Sequence, residues 1–172
     1  LSWRQLNNPA TGWLRDVKFP VDANTGWAIG QNGAVLHTTD GGSSWTPQTL
    51  PDGFTGYLWA MDAWDNTRAN IAGGGSRVYR TTTAGAVWQL SDAPGEFNML
   101  DINYGTANAV YATAWNDTFF TSDNNGASWI RRYPGTGVNL NSVDFRSDML
   151  GWVVGNGGKI IRSTNAGDNW TT

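Results

Sequence analysis

The sequence predicts an all-β fold, a β-propeller of four four-stranded antiparallel blades, and three observations predict it. A tryptophan-closed motif recurs as TTDGGSSW (38–45), TTTAGAVW (81–88), SDNNGASW (122–129) and STNAGDNW (163–170). Its anchors Trp45, Trp88, Trp129 and Trp170 stand 43, 41 and 41 residues apart, and Trp3 lies 42 before Trp45. No segment holds an apolar pattern at i, i+3, i+4, i+7, so helices are not expected, whereas short β-branched and aromatic runs return at regular intervals.

Each unit reads as strands in the same order. The first strand of each unit is LRDVKF, LWAMDAW, MLDINY or LNSVDF, with apolar and polar residues alternating. The second strand is GWAIG, NIAG, VYATA or GWVVG, ending in small residues suited to a crowded axis. QNGA, GGSR, WNDT and NGGK follow, four residues of hairpin chemistry each time, and then the third strand as VLHT, VYRT, FFTS or IIRS. The motif turns the chain into a fourth strand, TPQTL, QLS and IRRY; for the last unit this strand is RQLNN at the front of the chain. The expected organisation is one domain, 1–172, a whole propeller or half of one, with blades at about 9–50, 51–93, 94–133 and 134–172 plus 1–8. The N-terminal strand would complete the last blade, within one chain or, in a homo-oligomer, by strand exchange.

The motif itself is a turn lock in physical terms. The hydroxyl of Thr38 and carboxylate of Asp40 can accept backbone N–H bonds, Gly42 can take a positive φ, and Trp45 can pack between blades. The corresponding residues are Thr81, Gly85 and Trp88, then Ser122, Asn124, Gly126 and Trp129, then Ser163, Asn165, Gly167 and Trp170. Thr83, in the second copy, is expected to bond only weakly. The first copy alone keeps its Asp, so a metal loop, which needs several carboxylates, is not expected.

The pattern Ser/Thr-x-Asp-x-Gly-x-x-Trp resembles the Asp-box, or BNR repeat, of sialidases and many bacterial propellers. The longer GWAIGQNGAVLHTTDGGSSW resembles the repeat of photosystem II stability/assembly-factor-like propellers. That resemblance implies that the box is structural and faces away from the functional face, and that the protein is a non-catalytic interaction or assembly scaffold. A sialidase would need an arginine triad, a tyrosine nucleophile and an aspartic acid/base, and no such signature precedes the boxes. Other glycoside hydrolysis would need two carboxylates from Asp16, Asp101, Asp117 or Asp144, and Asp16 and Asp101 are repeat equivalents.

Composition excludes further classes. Eleven Lys+Arg against 14 Asp+Glu give a net charge of −3 with no basic run, so nucleic acid is not an expected partner. Cysteine is absent and His37 is the one histidine, which leaves no thiolate site and no histidine cluster for a metal; no cofactor is expected. No apolar run approaches the roughly 18 residues of a membrane span. With 15% charged residues and 22 glycines, the composition is that of an exported bacterial protein, periplasmic or extracellular.

If the boxes mark one face, function falls on the other, where the repeats disagree. The turns there carry Asn32, Arg77, the Trp115–Asn116–Asp117 run and Lys159, and the blade entries bring Arg15 and Trp59. Trp115 replaces Gln31, Gly74 and Asn156 of the other units, and Trp59 replaces Arg15, Leu100 and Asn141. Aromatics interleaved with Asn, Asp and Arg suit another protein or a glycan, so a carbohydrate-binding or adhesive module is the alternative reading. Trp27 and Trp152 share one strand position and read as core.

Overall fold

A computed structural model describes residues 5–172. The first sheet pairs β1 (Leu14–Lys18), β2 (Gly26–Gly30), β3 (Val35–Thr38) and β4 (Thr46–Pro47) in sequence order. The second pairs β5 (Leu58–Ala63), β6 (Ala69–Gly73), β7 (Arg77–Thr81) and β8 (Gln89–Asp92). The third pairs β9 (Met99–Tyr104), β10 (Val110–Ala114), β11 (Thr118–Ser122) and β12 (Ile130–Arg132). The fourth holds three strands, β13 (Leu140–Phe145), β14 (Gly151–Gly155) and β15 (Lys159–Ser163). All pairings are antiparallel, and β1, β5 and β13 each carry a register shift near the start, so the first and fourth residues of those strands face the same way.

The fourth sheet departs from the expected four strands. Beyond β15, among the described residues, it gains only the Arg162 to Thr171 bridge. Trp3, expected to open the completing strand, lies outside the described residues, and residues 5–8 form no strand on β15. Leu6 instead lies against Gly42 and Trp45 of the first sheet.

The sheets stack as successive blades through their innermost strands, β1 on β5, β5 on β9 and β9 on β13. Each junction has its own core. Trp27, Ile29 and Val35 of the first blade meet Leu58, Met61 and Ile71 of the second. Ala72 and Val78 meet Met99 and Ile102 at the next junction, and Tyr111 and Phe119 meet Leu140 and Phe145 at the third. The third junction is aromatic, with the Tyr111 and Phe145 rings stacked and Trp170 edge-on to Phe119 at 4.9 Å. Trp27 is fully buried, but Trp152 is not, because among the described residues no further blade covers the face of β14.

A second system crosses the junctions near the axis. Carboxylates of the inner strands accept a backbone N–H from the next blade: Asp16 from Met61 at 2.9 Å, Asp62 from Tyr104 at 2.8 Å and Asp101 from Val143 at 2.9 Å. Asn103 does the same for Phe145 at 2.7 Å. These side chains satisfy donors that the antiparallel ladder leaves facing the neighbour, so the sequence DVK, MDA, DIN is junction chemistry and not surface decoration.

Candidate functional site

The structure separates two ends of the blades. At one end, each box bonds to the hairpin joining the first two strands of its own blade: Gly41 N–H to Asn24 O, Ala84 to Thr67, Asn125 to Asn108 and Ala166 to Met149. At the other end, the turn between second and third strands bonds to the blade entries, as Gln31 N–H to Trp13 O, Gly33 to Gly56, Gly74 to Tyr57, Trp115 to Asn98 and Asn156 to Asn139.

Within each box the polar side chains are spent on the turn itself, while Ser122, Asp123, Ser128, Ala166 and Asp168 of the third and fourth boxes line a cavity of about 320 Å³. Thr38 Oγ1 accepts from Gly42 N–H at 2.9 Å and donates to Asp40 Oδ1, which accepts from Ser44 N–H at 2.9 Å. Ser44 Oγ donates to the second Asp40 oxygen at 2.7 Å, so the carboxylate pKa is lowered to about 2 by that hydroxyl and the Ser44 N–H, then by Thr38. Ser122 and Asn124, and Ser163 and Asn165, repeat the lock, their hydroxyls accepting Gly126 and Gly167 N–H. Thr81 does so for Gly85, and Thr83 accepts Val87 N–H at 3.0 Å, as good a bond as Asp or Asn makes here. Gly42, Gly85, Gly126 and Gly167 all have positive φ, as does the residue before each, a pair of left-handed positions that makes the turn tight. Trp88 is buried and donates its indole N–H to Gln48 of the preceding blade at 3.0 Å; Trp129 is buried, while Trp45 and Trp170 are half-buried.

The turn end is different. At the first junction Arg15 lies over the Trp59 ring at 4.9 Å, Trp59 stacks on Tyr57 at 5.2 Å, and Gln31 donates to the Tyr57 hydroxyl at 3.1 Å. Arg15 is exposed and no carboxylate pairs with it among the described residues. The Trp59 indole nitrogen is buried beside Gly74 without a hydrogen-bond acceptor. Trp13, three-quarters exposed, immediately precedes β1, the strand that carries Arg15. At the second junction Trp115 and Asn116 line a shallow cavity of about 250 Å³ with Gly75, Glu96, Phe97 and Asn98. Around it, Asn116 and Asp117 hold positive φ, and Asp117 is spent on Thr136 Oγ1 and Gly137 N–H.

Not every sequence-predicted residue joins this rim. Arg15 with Trp59, and Trp115 with Asn116, are brought together in two clusters at successive junctions. Arg77 is instead paired with Asp52 and lies over Phe54, a structural contact on the flank of the second blade. Asn32 and Lys159 are exposed on their own turns. Glu96 and Phe97 were not foreseen; they lie in the blade entry SDAPGEF, whose counterparts of equal length, LNNPATG and RYPGTGV, carry neither an acid nor a phenylalanine. Tyr79, whose hydroxyl binds Asp52, has its pKa raised mainly by burial.

A family model described as "Photosynthesis system II assembly factor YCF48" matches residues 1–91 and 90–164. Photosystem II assembly lipoprotein Ycf48 of Synechococcus sp. (strain CC9902) is 25% identical over 171 residues, covering 98% of this chain and 51% of that protein. Photosystem II assembly protein Ycf48 of Thermosynechococcus vestitus is 29% identical over 98% of this chain and 61% of its own length. The chain thus spans about half the length of these curated relatives. Among solved structures, YCF48 from Cyanidioschyzon merolae superposes with a TM-score of 0.73 at 20% identity, over 92% of this chain and 52% of that one. A structure of YCF48 bound to D1 peptide gives 0.62 at 20% identity, over 97% and 70%. An ancestral GH74 enzyme gives 0.74 at 24% identity, over 98% and 25%. Likeness at these identities shows the shared blade fold.

Proposed function

We propose that this chain, which belongs to the family of the photosynthesis system II assembly factor YCF48, is a non-catalytic assembly scaffold whose turn-end rim binds an extended segment of another protein. The observation that carries the reading is the Arg15–Trp59–Tyr57 stack: a cation without a carboxylate partner among the described residues, lying over the Trp59 ring that stacks on Tyr57, on the face where the repeats diverge. Such a stack offers flat apolar area at low entropic cost and one charge for a carboxylate of the bound chain. The family includes a member solved with a D1 peptide, which makes a peptide the ligand class of choice.

Catalysis is not part of this reading. Asp16 and Asp101 are committed to inter-blade N–H groups and Asp117 to Thr136 and Gly137, so three of the four carboxylates considered for glycoside hydrolysis already hold structure together. We place the protein on the exported side of a membrane, with relatives named as lipoproteins. No helix among the described residues is long and apolar enough to cross a bilayer.

The test is a titration followed by tryptophan fluorescence, using a synthetic D1 peptide as probe and a panel of oligosaccharides in parallel. Saturable binding of the peptide, weakened about tenfold or more by Arg15→Ala and by Trp59→Ala, is expected. A response confined to an oligosaccharide would replace this reading with the glycan-binding one. Hydrolysis of a fluorogenic glycoside would overturn the non-catalytic assignment.

A further inference from the structure

The second and fourth blades treat one pair of rim positions differently. In the fourth, the second residue of the inner strand bonds to the first residue of the turn, Asn141 Nδ2 donating to Asn156 Oδ1 at 2.9 Å. In the second, the same two places hold Trp59 and Gly74, a donor beside a residue with no side chain. The indole N–H is therefore buried with no acceptor among the described residues. Gly74 leaves a notch there. A Cβ at that position would lie 4.0 Å from Trp59 Nε1 and 3.2 Å from Asn98 Oδ1 of the next blade. Gly74 is not among the positive-φ glycines, so its backbone does not demand glycine, and the notch is an omission of side chain rather than a need of the turn.

We propose that this notch is a subsite for one backbone amide of an extended partner segment, its carbonyl accepting from Trp59 Nε1–H and its N–H donating to Asn98 Oδ1. The proposal rests on the scaffold reading and names what the rim holds between its two clusters. Trp59 gives its ring to the stack with Arg15 and Tyr57, and its N–H edge borders the notch. Asn98, on the far side of the notch, also lines the cavity of about 250 Å³ that holds Trp115 and Asn116. The notch therefore joins the first-junction stack to the second-junction cavity, and a segment laid across both carries its main chain past it. The chemistry is complementary. A peptide unit brings one acceptor and one donor, and the notch presents an unpaired indole N–H and an amide oxygen. The Asn98 side chain makes no hydrogen bond among the described residues, so it can shift to meet the segment without losing one. Binding gains from the new bond and from the relief of a buried donor together.

The test follows the Trp59 indole proton by NMR, identified by its loss in Trp59→Phe, during titration with a terminally blocked tetra-alanine and, separately, with the D1 peptide. The blocked peptide has backbone amides and no charge, so it reads the notch and not the Arg15 cation. The resonance should move downfield, saturably, with both. Trp59→Phe keeps a ring beneath Arg15 and removes only the donor; it should weaken D1 peptide binding about three- to tenfold by calorimetry, the worth of one hydrogen bond. Gly74→Ser brings a hydroxyl into the notch, so its indole proton should stand downfield before any peptide is added and should no longer move. A resonance that neither peptide moves overturns the subsite, as does a Gly74→Ser protein that responds like the parent. D1 peptide binding that is lost in Arg15→Ala but unchanged in both Trp59→Phe and Gly74→Ser overturns the subsite and leaves the scaffold reading standing. Movement with tetra-alanine and no binding of the D1 peptide upholds the subsite and overturns the D1 segment as its occupant.

Discussion

Removing the Asp62 carboxylate tests whether inner-strand acids hold the blades together. One oxygen accepts Ala63 N–H at 2.9 Å and Lys18 at 2.7 Å; the other accepts Tyr104 N–H at 2.8 Å across the junction. Asp62→Ala leaves two buried donors without acceptors, each worth about 1–3 kcal/mol. Relief from burying the carboxylate offsets part of this, and the half-exposed Lys18 pair adds only about 0–1 kcal/mol. The expected loss is therefore about 2–4 kcal/mol, or a fall in Tm of roughly 5–15 °C for a chain of this size. Lys18→Ala should cost about 1 kcal/mol or less, and Asp62→Asn, which keeps one acceptor, should fall between. Urea unfolding followed by fluorescence and circular dichroism, with coincident transitions as the check on two-state behaviour, gives all three values. An Asp62→Ala protein within about 0.5 kcal/mol of the parent, or one no worse than Lys18→Ala, would refute the reasoning.

Two further outcomes follow from the boxes and the core. Because Asp40 is depressed from 3.8 to about 2, its stabilising bonds are complete above the ordinary value and lost as pH falls through about 2; carboxyl NMR should show this, and Ser44→Ala should raise the midpoint towards 3.8. Phe119→Ala opens a cavity among Phe145, Tyr111 and Trp170 and should cost about 3–5 kcal/mol by urea unfolding, with a change in Trp170 emission that a surface substitution such as Asn32→Ala would not give.

The blade repeat was legible because it is written in local chemistry. A turn with two left-handed residues needs Gly at Gly42, Gly85, Gly126 and Gly167, and a hydroxyl seven residues before each tryptophan to fill the loop. Thr83 was underrated because its type suggests a weaker acceptor than Asp; the turn presents Val87 N–H to it directly and the difference vanishes. The rim was legible only in part. That Trp59 breaks its column marks it, but nothing along the chain says that Arg15, 44 positions earlier, lies on its ring. Arg77 was drawn to the rim by its place on a turn, whereas its partner Asp52 sits in the preceding inter-blade segment.

By itself the sequence determined the period, the strand order within a blade and the end of each blade that carries the boxes, since these depend on residues within one repeat of each other. Tertiary structure decided which carboxylates became junction acceptors, which tryptophans were covered and which faces stayed open. Trp27 and Trp152 occupy the same place in the repeat, yet only Trp27 is fully buried, because burial in a stacked fold is conferred by the neighbouring blade and not by the residue's own strand.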